Sequence, residues 1–256
     1  MYVSYLVQTP ECQYLKISRA KISIISLDFK TIYQPEFCFN DLQAASLQFY
    51  NHNNNEGLLI STSVVHAKEQ MLAQDLQSIQ GKILFLDLNN NMSNIFSYGH
   101  RSPQGLLVFN DEILSTEHGP NGGDEINKIE YKGNYGWPVS SYGEPYYENS
   151  LKPILSKDHK KNNFIEPIYS FLPSIGISEI INLPNVFSQH WKNNFIISSL
   201  NNKSLFRIRF DDKYSKVTYS EKIFIGKRIR DLKYYSKLNI ILLAQEYDGT
   251  LGILSN

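Results

Sequence analysis

The residues able to do chemistry concentrate in one stretch, 98–138 (YGHRSPQGLLVFNDEILSTEHGPNGGDEINKIEYKGNYGWP). His100, Arg101, Glu117, His118, Asp124 and Glu125 fall within a few residues of expected strand ends, among glycines. Short strands feeding polar loops are how a rigid scaffold presents reactive groups. The segment HGPNGGDEIN sets a tight turn at Gly119 and Pro120, which can expose carbonyls, beside two carboxylates. Hard cations such as calcium take oxygens of both kinds. Turn capping is the other use of Asp124 and Glu125. Farther along, Arg228 and Arg230 lie two apart on an expected strand, so both side chains point to one face. Guanidinium groups sharing a face repel unless an anion lies between them, and their fork suits a carboxylate. A lone arginine more often makes a weak surface ion pair.

The elements that must position these groups are strands. Period-two alternation marks 2–7, 13–19, 21–27 and 31–33 as an antiparallel meander. Further strands are expected at 45–50, 58–62, 82–88, 94–97, 104–110, 112–116, 125–131, 166–171, 176–182, 194–199, 204–210, 216–225, 228–235, 238–244 and 250–254. Residues 66–80 are the one good helix candidate, ended by Gly81, and 132–164 form a long loop excursion containing the lysine-rich KDHKKNN, read as solvated. The strand-turn unit recurs about every 45 to 60 residues, the range of propeller blades. A sandwich would also give short alternating strands.

Composition narrows the classes. Among 256 residues, Lys+Arg and Asp+Glu are 25 each, so net charge is zero and a nucleic-acid partner is disfavoured. Hydrophobic content of 42% fills a sizeable core. No apolar run approaches the ~18 residues that span a bilayer. The N-terminus has no basic segment followed by a long apolar one, so no signal peptide is read, and it reads as a strand from its second residue. Material upstream is therefore expected to be missing. Cys12 and Cys38 lie in no CxxC motif; they could pair, but two free or buried thiols are expected.

GHRSPQGL (99–106), STEHGPNGGDEIN (115–127), NYGWP (134–138) and GKRIRD (226–231), with AQDLQSIQGKIL (73–84), resemble the quinoprotein glucose/sorbosone dehydrogenases. These are soluble aldose sugar dehydrogenases dependent on pyrroloquinoline quinone (PQQ). The resemblance covers nearly the whole chain, with the motifs in the family's order. It implies an all-β, six-bladed β-propeller, here one N-terminally truncated domain (1–256), an incomplete propeller of about four to five blades of antiparallel four-stranded sheets. It implies PQQ and Ca2+ as cofactors, an aldose sugar as substrate and an external electron acceptor. PQQ would be held by Arg101, Ser102, Tyr146, Asn201, Arg228 and Arg230. Gly119 and Pro120 carbonyls would hold the catalytic calcium, and Glu125 and Tyr135 a second, structural one. His118 would orient its loop and Trp137 would be a packing anchor.

The chain also departs from the family. No counterpart of the general-base histidine is found, since His52 and His66 lie in the wrong segments and His100 and His118 belong to later motifs. That base belongs to an early blade. Ser102 stands where the family has asparagine, Asn201 where it commonly has a cofactor-binding lysine, and DLQAAS where it has a glycine-rich segment. Two readings follow. One is a sugar dehydrogenase, or a part acting with a separately encoded N-terminal fragment. The other is a non-catalytic, degenerate propeller module that binds carbohydrate, an anion or a protein. Family members work in the periplasm or outside the cell, and the location of this chain is left open.

Overall fold

A computed structural model describes residues 1–36, 38–39, 46–66, 68–145 and 156–255. Five antiparallel sheets make up the fold, which is all-β and of the β-propeller class, with five blades. They fall into two compact units: residues 1–103 with 130–139, and residues 104–129 with 140–256.

The first unit carries β1 (Tyr2–Gln8), β2 (Gln13–Arg19) and β3 (Lys30–Tyr33) as one sheet. Its second sheet is β4 (Leu47–His52), β5 (Asn55–Ser61), β6 (Lys82–Asp87) and β7 (Ser93–Tyr98), in that order. Central strands read differently from edge strands. In β5 and β6, long runs are buried on both faces, whereas edge strands alternate. Leu15, Ile17, Leu58, Ile60, Leu84 and Leu86 form this unit's core.

The second unit opens with β8 (Pro103–Phe109), β9 (Glu112–Glu117), β10 (Asp124–Lys128) and β11 (Tyr169–Phe171). Next come β12 (Ile177–Asn182), β13 (Phe195–Ser199), β14 (Ser204–Phe210) and β15 (Val217–Phe224), and finally β16 (Ile229–Tyr235), β17 (Ile240–Gln245) and β18 (Leu251–Ser255). One core gathers Leu107, Leu114, Ile126, Phe195 and Phe206, and a second gathers Leu183, Ile196, Leu205, Ile229 and Leu243.

Four expectations change. Three sheets have four strands, but the first and last have three among the described residues. Residues 21–27 alternate yet join no ladder; Ile24 and Ile25 stand in solvent, because alternation makes a strand only where an edge is available to pair. Within 66–80 the described residues form only a 3-10 turn, Gln70–Ala73. Lys82 ties down the end of the short turn: its Nζ donates to the carbonyls of Leu72 (2.7 Å), Ala73 (3.0 Å) and Gln80 (2.7 Å). The fourth change is a Cys12–Cys38 disulfide, with Cα atoms 5.7 Å apart, in place of free thiols. Spacing alone could not show that β2 and the segment at Phe39 are hydrogen-bonded neighbours through Gln13.

The abundance of asparagine also has a structural use. Among the described residues, seven of the twelve non-glycine residues at positive φ are Asn, including both turn residues Asn53 and Asn54 between β4 and β5. Such hairpin turns need left-handed backbone, which Asn tolerates.

Two stability measurements follow. Cys12→Ser should lower unfolding free energy by about 3 kcal/mol, the loop-closure value for a separation of 26 residues. An identical Tm with and without reductant would refute it. Lys82→Met should cost about 3 kcal/mol in urea denaturation, since it strands three carbonyls around a buried site.

Candidate functional site

Each unit gathers part of the expected site. In the first, Arg101 is buried, with its guanidinium 5.4 Å from the centre of the Trp137 ring. The Arg101 carbonyl accepts the Val64 N–H at 2.8 Å, which fixes the turn. Ser102 is buried beside it in sequence. The NYGWP segment is clamped by Gln74, whose Nε2 donates to Asn134 Oδ1 (3.1 Å) and to the Trp137 carbonyl (2.6 Å), while Asn134 Nδ2 donates back at 2.8 Å. Two motifs some sixty residues apart thus form one amide clasp. Tyr135 is buried and stacks on His100 at 4.5 Å, and its phenol oxygen accepts the Glu130 N–H at 2.8 Å. Trp137 is a buried anchor as expected, and its indole N–H has no hydrogen-bond partner among the described residues.

In the second unit, the 117–125 loop is held by Asp124. One carboxylate oxygen accepts from Gly119 N–H (3.1 Å) and Ser174 Oγ (2.9 Å), the other from the N–H groups of Ile175 and Ile177 (3.0 Å each). Turn capping is therefore the role of Asp124. A side chain on Gly119 would run into the carbonyls of Gly122 and Gly123, so only glycine closes this turn. Asn121 and Glu144 exchange two backbone hydrogen bonds of 2.9 Å, tying the loop with Gly119 and Pro120 to the start of the excursion.

Glu125 faces the other way, into a fully buried polar row. It sits opposite Glu117 on β9 and Ser170 on β11. Burial, then the Glu117 charge, push its carboxyl well above the usual range; Asn127 opposes this, and Asp124 and Glu166 add to it. Glu166 also accepts a 2.6 Å bond from the Tyr142 hydroxyl, and burial together with Glu166 raises that phenol. Tyr142 stacks on His159 at 5.1 Å, and His159 Nδ1 meets Ser140 Oγ at 3.0 Å. His159 lies in the lysine-rich segment expected to be solvated, yet it is 1% exposed, and burial lowers its pKa. Its lysine neighbours stay outside while this one side chain folds in.

Arg228 and Arg230 converge on one acceptor, Glu246. Arg228 Nε donates to Oε2 at 2.7 Å and Arg230 to Oε1 at 2.9 Å. The anion that same-face arginines require is thus supplied internally. Burial works against ionising Glu246, but the Arg230 and Arg228 hydrogen bonds prevail and hold its carboxyl below the ordinary value. Arg228 also donates to Asn201 Oδ1 at 3.1 Å, so Asn201 joins this clamp, and Arg230 donates to Gln104 Oε1 at 3.3 Å. Tyr146 lies outside the described residues.

Glu246, Gln104 and Glu179 carry no sequence signal. Glu179 lies at a bulge in β12, where the register slips between Ile177 and Ile180. Its Oε1 accepts the Ile180 N–H at 2.8 Å and lies where a Cβ on Gly105, next to Gln104, would fall. Burial raises its carboxyl to about 8; Ile180 and Lys233 pull down, and Asp231 pushes up. A carboxyl in that range can hold or release a proton near neutrality beside the Arg230–Gln104 pair.

In the second unit, guanidinium groups already chelating a carboxylate, with an amide at their edge, fit a carboxylate-bearing cofactor. Among the described residues no three His, Cys, Asp or Glu side chains converge as a metal shell. Calcium here would therefore need carbonyl oxygens, the donors that the Gly119-Pro120 turn can offer.

The blade sheets place the chain among the β-propellers, and its second unit carries a two-arginine clamp on an internal carboxylate. The family model for glucose/sorbosone dehydrogenases matches residues 1–253, and the chain belongs to that family. Aldose sugar dehydrogenase YliI of Escherichia coli (strain K12) is 28% identical over 196 residues, which cover 70% of this chain and 52% of that protein. The apo crystal structure of the soluble aldose sugar dehydrogenase from Escherichia coli superposes with a TM-score of 0.82 at 21% identity, covering 100% of this chain and 78% of the other. The PQQ-bound aldose sugar dehydrogenase of Streptomyces coelicolor gives a TM-score of 0.67 at 18% identity, covering 99% of this chain and 74% of that one. The chain spans about half the length of the curated relatives it matches, 38% to 52%. No helix among the described residues is long and apolar enough to cross a membrane.

Glu179 predicts a pH dependence. Its folded value of about 8 exceeds the ordinary 4.5, so between these the folded state binds more protons than the unfolded one. The stability it contributes is complete below 4.5 and lost as pH rises toward about 8. Glu179→Gln should remove that loss, on the order of 3 kcal/mol between pH 5 and 8. Equal pH slopes of urea midpoints for variant and wild type would exclude it.

Proposed function

We propose that this chain is the cofactor-binding part of a sugar dehydrogenase that oxidises aldoses at C1, using calcium and pyrroloquinoline quinone and passing electrons to an external acceptor. The Arg228–Glu246–Arg230 chelate carries this reading: a two-arginine carboxylate clamp sits in the motif that resembles the family's, on the matching fold. When bound, the calcium-polarised quinone would supply the hydride acceptor.

The chain's residues would do the following. In the second unit, Arg228 and Arg230 bind cofactor carboxylates through charge-assisted hydrogen bonds, with Asn201 as a neutral partner. Glu246 keeps the two arginines parallel until a ligand carboxylate replaces it. Gly119 and Pro120 offer carbonyl oxygens to calcium on a loop that Asp124 holds rigid. Glu125 would offer a carboxylate to a second cation. The Cys12–Cys38 disulfide supports an oxidising compartment, in keeping with an exported sugar-oxidising protein.

Titration calorimetry of the purified chain with PQQ and calcium tests this directly, with aldose-dependent dye reduction as the second readout. Arg228→Ala should weaken PQQ binding roughly 10- to 100-fold, the value of one charge-assisted contact. Absence of cofactor binding by the wild-type chain would overturn the proposal.

A further inference from the structure

The second unit holds a cavity of about 820 Å³ at the end of its blades away from the arginine clamp. Strand β13 shows the separation. Its first residue, Phe195, lines the cavity, while its last, Ser199, leads into Asn201 of the clamp. The strand between them spans about 13 Å. The other strands agree in direction: the cavity takes Phe109 from the end of β8, Asn182 from the end of β12 and Phe210 from the end of β14.

We propose that this cavity is a second, non-catalytic carbohydrate site that takes a neutral di- or trisaccharide. Its volume lies within the range of small-ligand sites, ~300–1,000 Å³. One part of the lining is aromatic. Phe109, Phe195, Phe210 and Tyr214 pack edge-to-face at centroid separations of 5.0 to 6.2 Å, and Phe109 and Tyr214 are only half-buried. Rings of this kind match the C–H faces of a pyranose. The other part is amide. Asn182, Asn185 and Asn193 line the cavity and spend their side chains on no hydrogen bond among the described residues. An amide offers two donors and an acceptor, the complement of vicinal hydroxyls, which both donate and accept. Asn194 adds a buried Oδ1 with no hydrogen-bond partner among the described residues, its Nδ2 being committed to the Lys192 carbonyl at 2.6 Å.

Charge selects against ionic ligands. Lys192 and Arg209 are balanced by Asp211 and Asp212, leaving the lining without net sign. Asp211 is committed to its own turn: it accepts from the Ser215 N–H and Oγ (2.6 Å each) and from the Lys216 N–H (3.2 Å). These bonds hold its carboxyl below the usual range and leave a preformed wall. The inference stands apart from the cofactor reading, because no residue of the arginine clamp lines the cavity.

Sucrose and raffinose are the probes, since neither has a free anomeric hydroxyl to oxidise at C1. Saturation-transfer NMR should show both binding the full chain with Kd in the millimolar range. Asn182→Ala/Asn185→Ala should weaken binding at least tenfold, and Arg228→Ala should leave it unchanged. Asn185→Trp, at an exposed position, should block the mouth and abolish the signal even if the double variant folds poorly. No transfer at ~10 mM sugar, or equal transfer to wild type and Asn185→Trp, overturns the proposal. Loss of binding in Arg228→Ala would overturn it too, placing the sugar at the clamp instead.

Discussion

The loop with Gly119 and Pro120 and the entry to β12 both depend on the carboxylate of Asp124. Four donors from two stretches of the chain meet on it: Gly119 before it, and Ser174 with the Ile175 and Ile177 amides after the excursion. Removing that buried carboxylate would leave three backbone N–H groups without a partner. Both the loop with Gly119 and Pro120 and the entry to β12, which carries Glu179, take their geometry from this one side chain.

Around that anchor the fold sorts charge by what surrounds it. Asp124 is saturated with donors, whereas Glu125, next in sequence, faces Glu117 across the ladder and is driven toward its neutral form. Alternation along β10 is the cause: adjacent residues project to opposite faces and meet different environments. The arginines show the reverse economy. Two like charges share Glu246, so the clamp carries a net positive charge and keeps its fork geometry ready for an incoming carboxylate.

Family membership and the clamp concern one end of the second unit's blades, while the cavity lined by Asn182, Asn185 and Asn193 lies at the other. Strand ends on both sides of a sheet are equally able to carry loops, so a single blade set can serve two ligands without sharing residues.

The strand periodicity, the turn glycines and the motifs from 99 to 231 determined the all-β class, the blade repeat and the family, because each is a local property of the chain. Arg228 and Arg230 could likewise be expected on one face from their two-residue spacing, although Arg228 lies just before β16 and the ladder slips between Ile229 and Asp231. The identity of their anion could not, for Glu246 comes from the neighbouring strand β17's end and only pairing of β16 with β17 brings it near. The same holds for Lys82, which gathers three carbonyls around its ammonium where a helix was expected, and for His159, which left a lysine run to stack on Tyr142. Cys12 and Cys38 were two thiols by spacing and one disulfide by packing. Local pattern sets which way a side chain points, but burial and contacts made across the chain decide what it meets there, and so its charge and its partner.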